Sequence, residues 1–255
     1  MPEGDTIWRT AETLRNALQG KRITAARPDL IKRFTGTTVT DVKPVGKHLL
    51  IRFDNGLAIH SHMRRQGAWH VYKPDQPWRR PAWQARALLQ TQDATAVCFD
   101  APVIDLVKDE ETKVGHLGPD ILAPTWSPQE VIARARRRND TAIGELLLDQ
   151  RVTAGIGNVY RCEALWWQRV NPWTPTKDLN DTDLETLYNT ARQAMTSNLK
   201  TNDRNRTFPG YGPAAVHGRG GRPCRRCGTR IKVRSQGELA RLTYWCPACQ
   251  PGPER

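Results

Sequence analysis

Four cysteines near the end of the chain follow the spacing Cys224-x2-Cys227-x18-Cys246-x2-Cys249. Two Cys-x-x-Cys knuckles at this separation each chelate from a tight turn, and together they suit one tetrahedral Zn2+. Four thiolates leave no open position, so the expected ion is structural and takes no part in catalysis. The residues between the knuckles, GTRIKVRSQGELARLTYW, read as two short strands joined by a turn. This β-hairpin finger carries Arg230, Lys232, Arg234 and Arg241. Those cations either reach into a groove or simply solvate an exposed ribbon.

At the other end stands MPEGDT. Proline suits the first turn of a helix and acidic residues favour helix N-termini, which makes an ordinary helix start the first reading of these six residues. The sharper reading is chemical. Removal of Met1 would leave Pro2 with a free secondary amine, a nucleophile that needs no side chain, beside the Glu3 carboxyl.

A third candidate is LLLDQRVTAGIGNVYRCEALW, in which Gly155 and Gly157 immediately precede Asn158. Glycines let backbone approach a phosphate closely, and a following helix N-terminus offers N–H groups to an anion. Such a helix–two-turn–helix could grip a DNA backbone; it is equally what an ordinary turn between helices looks like. VGKHLLIRF, with Lys47 just ahead of a strand, and the basic HSHMRRQG one hairpin later complete the set.

The elements that must position these groups differ between the two halves. TIWRTAETLRNALQGKRI places Ile7, Ala11, Leu14 and Leu18 on one helical face, with Asp5 as N-cap and Gly20 as stop. HLLIRFDNGLAIHSHM alternates around Asp54-Asn55-Gly56, a strong hairpin signal, and ARALLQT, ATAVCFD and PVIDLV read as further strands. The first half is therefore a β-sandwich with one N-terminal helix. LGPDILAPTWSPQEV reads as a linker, and Ser127-Pro128 begins a helical region: SPQEVIARARRR, TAIGELLLD, NVYRCEALWWQRV and DTDLETLYNTARQAMTSNLK. The expected fold is α+β, in four parts: a sandwich over residues 1–117, a linker over 118–127, a helical domain over 128–213 and a zinc finger over 214–255.

The net charge is +13, and residues 201–255 hold eleven Arg/Lys against three Asp/Glu. Charge concentrated in this way argues for a polyanionic partner. No apolar run approaches the length of a membrane span and the N-terminus lacks a signal peptide's hydrophobic stretch, so the protein reads as cytoplasmic with no membrane partner. Cys98 and Cys162 stand alone in apolar segments and read as buried thiols.

An N-terminal PEG, a Gly-Lys before a strand, GIGNVY between helices, then VHGRGGRPCRRCG and YWCPACQ: in this order the chain resembles the formamidopyrimidine-DNA glycosylase / endonuclease VIII family from Pro2 to Gln250. The YWCPACQ ending and the glycine after PE look more like the endonuclease VIII side, which mainly removes oxidised pyrimidines. The resemblance implies DNA bound in a cleft between two domains. It makes Pro2 the nucleophile, Glu3 the neighbouring acid/base and Lys47 a lysine near the damaged nucleotide. It assigns Asn158 and His62 to phosphate, and makes Arg241 the finger arginine that enters the duplex or meets a phosphate. His217 stands where the family's finger has tyrosine. Arg64-Arg65-Gln66 occupies the void-filling loop, with Met63, Arg64 and Arg65 as candidates to fill the gap behind an extruded nucleotide. Asp5 and Thr6 replace the second proline and glutamate of the common PEGPE opening.

The implied function is a bifunctional DNA glycosylase and abasic-site lyase of base excision repair. It would act as a monomer on damaged duplex or single-stranded DNA, through a Pro2 Schiff base and β,δ-elimination. A purine-directed enzyme of the same family is the alternative. Outside that class stand a catalytically silent damage-binding zinc-finger protein and an RNA-binding zinc ribbon.

Overall fold

The computed structural model describes residues 2–199, 208 and 212–253. Met1, on which the processing expectation bears, lies outside the described residues. So do 200–207 and 209–211 of the expected helical domain and 254–255 of the expected zinc-finger segment. The chain divides into two compact units, Met1–His116 and Leu117–Arg255.

The first unit opens with α1 (Gly4–Leu18), whose Ile7, Ala11, Leu14 and Leu18 are all buried. The helix stops at Leu18, and Gly20 turns the chain away at φ +73°, a conformation that costs glycine little. Asp5 is not the N-cap. Glu3 holds that position in extended backbone without a side-chain cap, and Asp5 lies buried inside the first turn. The helix starts earlier than the cap signal implied because its first residues pack against protein rather than water.

Eight strands follow: β1 (Ala25–Arg27), β2 (Val39–Val45), β3 (His48–Phe53), β4 (Ala58–His62), β5 (Ala68–Tyr72), β6 (Ala85–Gln90), β7 (Thr95–Phe99) and β8 (Val103–Val107). They form two antiparallel four-stranded sheets, ordered β2-β3-β4-β8 and β1-β6-β7-β5. One apolar cluster joins α1 to both: Ile7, Ala11 and Leu14 meet Leu49, Ile51 and Ile59 of one sheet and Leu89, Ala96 and Cys98 of the other. Alternation along β3 sends Leu49 and Ile51 into this core and leaves His48, Leu50 and Arg52 on the opposite face. That outer face is partly roofed by α2 (Glu111–Val114), whose Val114 packs on Leu50, Ala58 and Val107. Arg52 pairs with Glu110 at 2.6 Å and Lys113 with Asp105 at 2.8 Å.

The second unit holds α3 (Pro128–Arg136), α4 (Ile143–Leu146), α5 (Asn158–Trp167), α6 (Asp181–Leu199) and the antiparallel hairpin β9 (Lys232–Gln236) with β10 (Arg241–Trp245). Pro128 sits in the first turn of α3 after the Ser127 cap position, where its missing N–H costs nothing. TAIGELLLD forms only one helical turn, because the chain must then bend into the glycine link. The proline-rich stretch read as a linker packs within this unit, with Ile121, Leu122 and Trp126 buried and Asp120 bridged to Ala154. A second apolar cluster ties Cys162 and Trp166 of α5 to Ala215, Val216, Ile231 and the cysteine knuckles.

Candidate functional site

Pro2 and Glu3 precede the first turn of α1. The Glu3 carbonyl accepts the N–H groups of Thr6 at 2.9 Å and Ile7 at 3.1 Å, and Glu3 has no exposed surface. A carboxyl hidden from water at the start of a helix is an unusual placement for glutamate, which is rarely buried without a task or a partner. Asp5 is equally buried, with the Thr6 hydroxyl donating to it at 3.3 Å and the Arg9 guanidinium forming an ion pair with it at 3.8 Å.

Lys47 belongs to the two-residue turn Gly46-Lys47 that joins β2 to β3, closed by the Val45–His48 pair. Gly46 takes φ +57°, the first-position geometry that a tight hairpin requires. Across the next ladder His48 faces His62, with ring centroids 4.8 Å apart. Burial lowers both imidazoles. His48 falls to about 3, helped by His62, His60, His116 and Lys47. His62 falls to about 4, helped by Arg64, Lys47 and His60. Both rings are thus neutral at physiological pH, and the Lys47 charge bears on each.

After β4 the chain turns sharply. The Arg64 N–H donates to His62 Nδ1 at 3.2 Å, Arg64 itself adopts φ +49°, and the Gly67 N–H closes the loop on the Met63 carbonyl at 2.9 Å. A Cβ at Gly67 would stand 2.6 Å from that carbonyl, so only glycine fits. Arg64, Arg65 and Gln66 are exposed on the loop. Met63, expected as one of the void fillers, is instead a core residue packed in the sandwich, because the loop's first side chain still obeys the strand's inward alternation.

In the second unit the glycine link is stapled by Gln150. Its Oε1 accepts the Gly155 N–H at 3.0 Å and its amide donates to the Leu148 and Ile156 carbonyls. Gly155 lies at φ +113°, and Asn158 begins α5. The Asn158 Nδ2 donates to the Leu242 carbonyl on β10 at 2.8 Å, and its Oδ1 accepts from Arg161 at 2.5 Å. An amide carries two donors, so a second remains to meet an anion. Arg161 is fully buried and also reaches the carbonyls of Gly144 and Leu242 and the Gln236 side chain. The sequence reading passed over it; its signal was a charged pair, Arg161 and Glu163, inside the otherwise apolar run NVYRCEALWW.

Glu163 was missed too. Its carboxylate accepts three consecutive backbone N–H groups, from Ala215 at 2.7 Å, Val216 at 3.0 Å and His217 at 2.8 Å. Burial pushes its pKa up while these donors oppose the rise. The His217 ring rests edge-on against Tyr244, centroids 5.1 Å apart, and Arg241 opens β10 beside the Ala240 turn at φ +45°.

Cys224, Cys227, Cys246 and Cys249 converge, their sulfurs all within 4.8 Å of one another. Separations of 3.4, 3.5 and 3.9 Å are far too long for disulfides. They match four thiolates about 2.3 Å from a common centre, so the donor set fits a tetrahedral soft divalent ion. Backbone N–H groups of Arg226 and Cys249 and the Trp166 indole donate to the sulfurs at 3.4 Å, steadying thiolate charge as an outer shell does. Among the described residues, no helix is long and apolar enough to cross a membrane.

Three segments match known domains. Residues 1–102 match the formamidopyrimidine-DNA glycosylase N-terminal domain, residues 117–208 its H2TH domain, and residues 221–252 the zinc finger found in FPG and IleRS. The chain is 44% identical over 264 residues to the probable endonuclease 8 2 of Streptomyces coelicolor, spanning 99% of this chain and 95% of that protein. It is 37% identical to the DNA-(apurinic or apyrimidinic site) lyase Nei2 of Mycolicibacterium smegmatis, over 98% of this chain and 99% of that one. Identity to the endonuclease 8 of Escherichia coli O9:H4 is 34%, over 98% of this chain and 100% of that one. A solved structure of the Lactococcus lactis formamidopyrimidine-DNA glycosylase, bound non-covalently to AP-site-containing DNA, aligns with a TM-score of 0.82. It shares 21% identity, covers 98% of this chain and 100% of that one, and speaks to fold alone.

Proposed function

The chain belongs to the formamidopyrimidine-DNA glycosylase / endonuclease VIII family, and from that membership we propose a bifunctional DNA glycosylase and abasic-site lyase that excises oxidised bases, chiefly pyrimidines. The observation that carries the reading within the molecule is Glu3, a carboxyl without exposed surface on the residue that follows Pro2 in the chain. The pyrimidine preference is supported by the endonuclease 8 relatives.

In the proposed mechanism the neutral Pro2 nitrogen attacks C1′ of the damaged nucleotide. The N–C1′ bond forms, the glycosidic bond breaks and the base departs with a proton. Glu3 protonates the ring oxygen as the sugar opens. The resulting iminium has no N–H to lose, so it stays cationic and draws electrons from C2′. Loss of a C2′ proton then expels the 3′-phosphate, and a second elimination expels the 5′-phosphate. The positive end of α1 and the Lys47 charge favour the neutral amine that attack requires.

Each unit contributes its own DNA contacts: His62 and Arg65 from the first, and Asn158, His217 and Arg241 from the second. Arg64 and Arg65 stand ready for the space an extruded base vacates. The four cysteines would hold one structural Zn2+ whose chemistry is confined to fixing the finger. The expected active species is a monomer.

The test is borohydride trapping on a duplex with one abasic site, comparing protein of confirmed Pro2 terminus with an N-terminally extended form. An adduct mapped to Pro2 and lost on extension is expected. Binding without any adduct would favour the silent damage-binding protein. Faster excision of 8-oxoguanine than of thymine glycol would overturn the pyrimidine preference.

A further inference from the structure

The outer face of the β2-β3-β4-β8 sheet carries a polar chain that the proposed mechanism leaves unused. Asp105 on β8 lies opposite His60 on β4, and the His60 Nδ1 is 3.3 Å from its carboxylate. The other His60 nitrogen, Nε2, is 2.8 Å from Nδ1 of His48 on β3. Lys113 also binds Asp105, at 2.8 Å, and lowers its pKa, so the carboxylate is ionised at neutral pH.

An ionised carboxylate only accepts, which makes His60 Nδ1 the donor; burial lowers the His60 pKa, so the ring is neutral at physiological pH and its Nε2 is an acceptor. His48 must then donate through Nδ1, and its Nε2 carries a lone pair. His62 has the reverse arrangement: its Nδ1 accepts the Arg64 N–H, so its Nε2 carries hydrogen. His62 can donate to a phosphate while neutral. His48 can do so only after gaining a proton.

We propose that His48 is an additional DNA-phosphate contact that takes one proton from solvent onto Nε2 as the duplex docks, with His60 and Asp105 as the positioning residues that hold its tautomer. The inference rests on the proposed DNA-repair function, which brings phosphate to Lys47 and His62. His48 follows Lys47 directly and stacks edge-on against His62. In the free protein every neighbour opposes its charge: Lys47 in the turn, His62 and His60 on β4, and His116 at 6.3 Å beyond α2. Arg64 acts on His62, and Lys113 competes for Asp105. A phosphate reverses that local field. His60 and Asp105 then stabilise the imidazolium from behind, as a carboxylate behind an imidazole does. No bond between heavy atoms changes.

The sign follows from linkage. A group whose pKa is higher in the complex tightens binding as pH falls through the bound value and leaves it flat above. If phosphate restores the ordinary value of about 6.5, affinity should rise about tenfold between about pH 8 and about pH 5.5.

The experiment uses the full chain with a Pro2 terminus and, as probe, a duplex containing a tetrahydrofuran abasic analogue, at fixed salt. Imidazole 15N shifts of the free wild-type protein should show His48 protonated on Nδ1 and His62 on Nε2. Wild type should give the pH-linked tightening, His48→Gln should flatten it to under about twofold, and His62→Gln should weaken binding while keeping the slope. Asp105→Asn should move the bound titration of His48 to lower pH. An unchanged slope in His48→Gln, or a free His48 protonated on Nε2, would overturn the proposal. Trapping on an authentic abasic site is read separately. Wild type that shows the linked binding but forms no adduct would sink the lyase reading and leave this one standing.

Discussion

Glu163 holds His217 by its backbone: the carboxylate accepts the His217 N–H at 2.8 Å, joining positions 54 residues apart. The neighbouring Ala215 and Val216 N–H groups share the same two oxygens. One buried side chain on α5 therefore fixes the start of the finger segment, and an uncompensated N–H at such a place costs about 1–3 kcal/mol.

Glu163→Ala should lower stability by about 3 kcal/mol or more, since three donors lose their acceptor together. Glu163→Gln, which keeps one acceptor oxygen, should fall between the two. Denaturant midpoints of the three metal-loaded proteins decide this; equal midpoints would show that the contact carries no weight.

Acid should destabilise the free protein earlier than carboxylate titration alone predicts. His48 and His62 sit at about 3 and about 4 when folded, against 6.5 unfolded. Between those values the unfolded chain binds more protons, so stability falls as pH drops from about 6.5 toward 4. Their partial exposure tempers the size of the effect. In a His48→Gln/His62→Gln double variant the slope over this window should shrink, measured by melting temperature against pH.

Removal of the metal proposed at the four cysteines should unfold β9–β10 while the sandwich stays folded, because ligation energy and folding energy are one quantity in such modules. Hydrogen exchange after chelation should show lost protection across Lys232–Trp245 and retained protection across β3 and β4. DNA affinity should collapse in parallel; full affinity without metal would contradict the proposed role of Asn158 and Arg241.

Glu3→Gln should slow base excision by about a hundredfold or more, the range a positioned acid contributes. Trapping at a preformed abasic site should suffer less, since an abasic sugar is a hemiacetal that opens to its aldehyde without a positioned acid. Single-turnover rates on a thymine glycol duplex and an abasic duplex separate the two; equal losses would make Glu3 a structural residue.

Much of this was visible in residue order. The apolar face of α1 and its glycine stop, the Asn55-Gly56 hairpin, the Ser127-Pro128 helix start and the cysteine spacing are local signals, set within a few residues of where they act. What escaped reading depends on distant partners. Asp5 looked like a cap because aspartate usually is one, yet tertiary packing drew it inside the helix. Met63 looked like a loop residue because its neighbours are basic, yet strand alternation carries one step further and buries it. Arg161 and Glu163 answer to carbonyls and amides more than fifty residues away, which no local pattern announces. The histidine series needs the β3–β4–β8 register before its members become neighbours.

That register also limits how the chain can change length. His48 and His62 share a face with His60 and Asp105 only because each ladder is in phase. A single residue gained or lost inside β3 would turn Leu49 or Ile51 toward solvent, and one inside β4 would do the same to Ile59, in each case driving an imidazole of that strand toward the sandwich. Insertions can accumulate at the Asp54–Gly56 tip, where the strands have already parted. A descendant of this gene can therefore lengthen that hairpin freely at one end and hardly at all along its shaft.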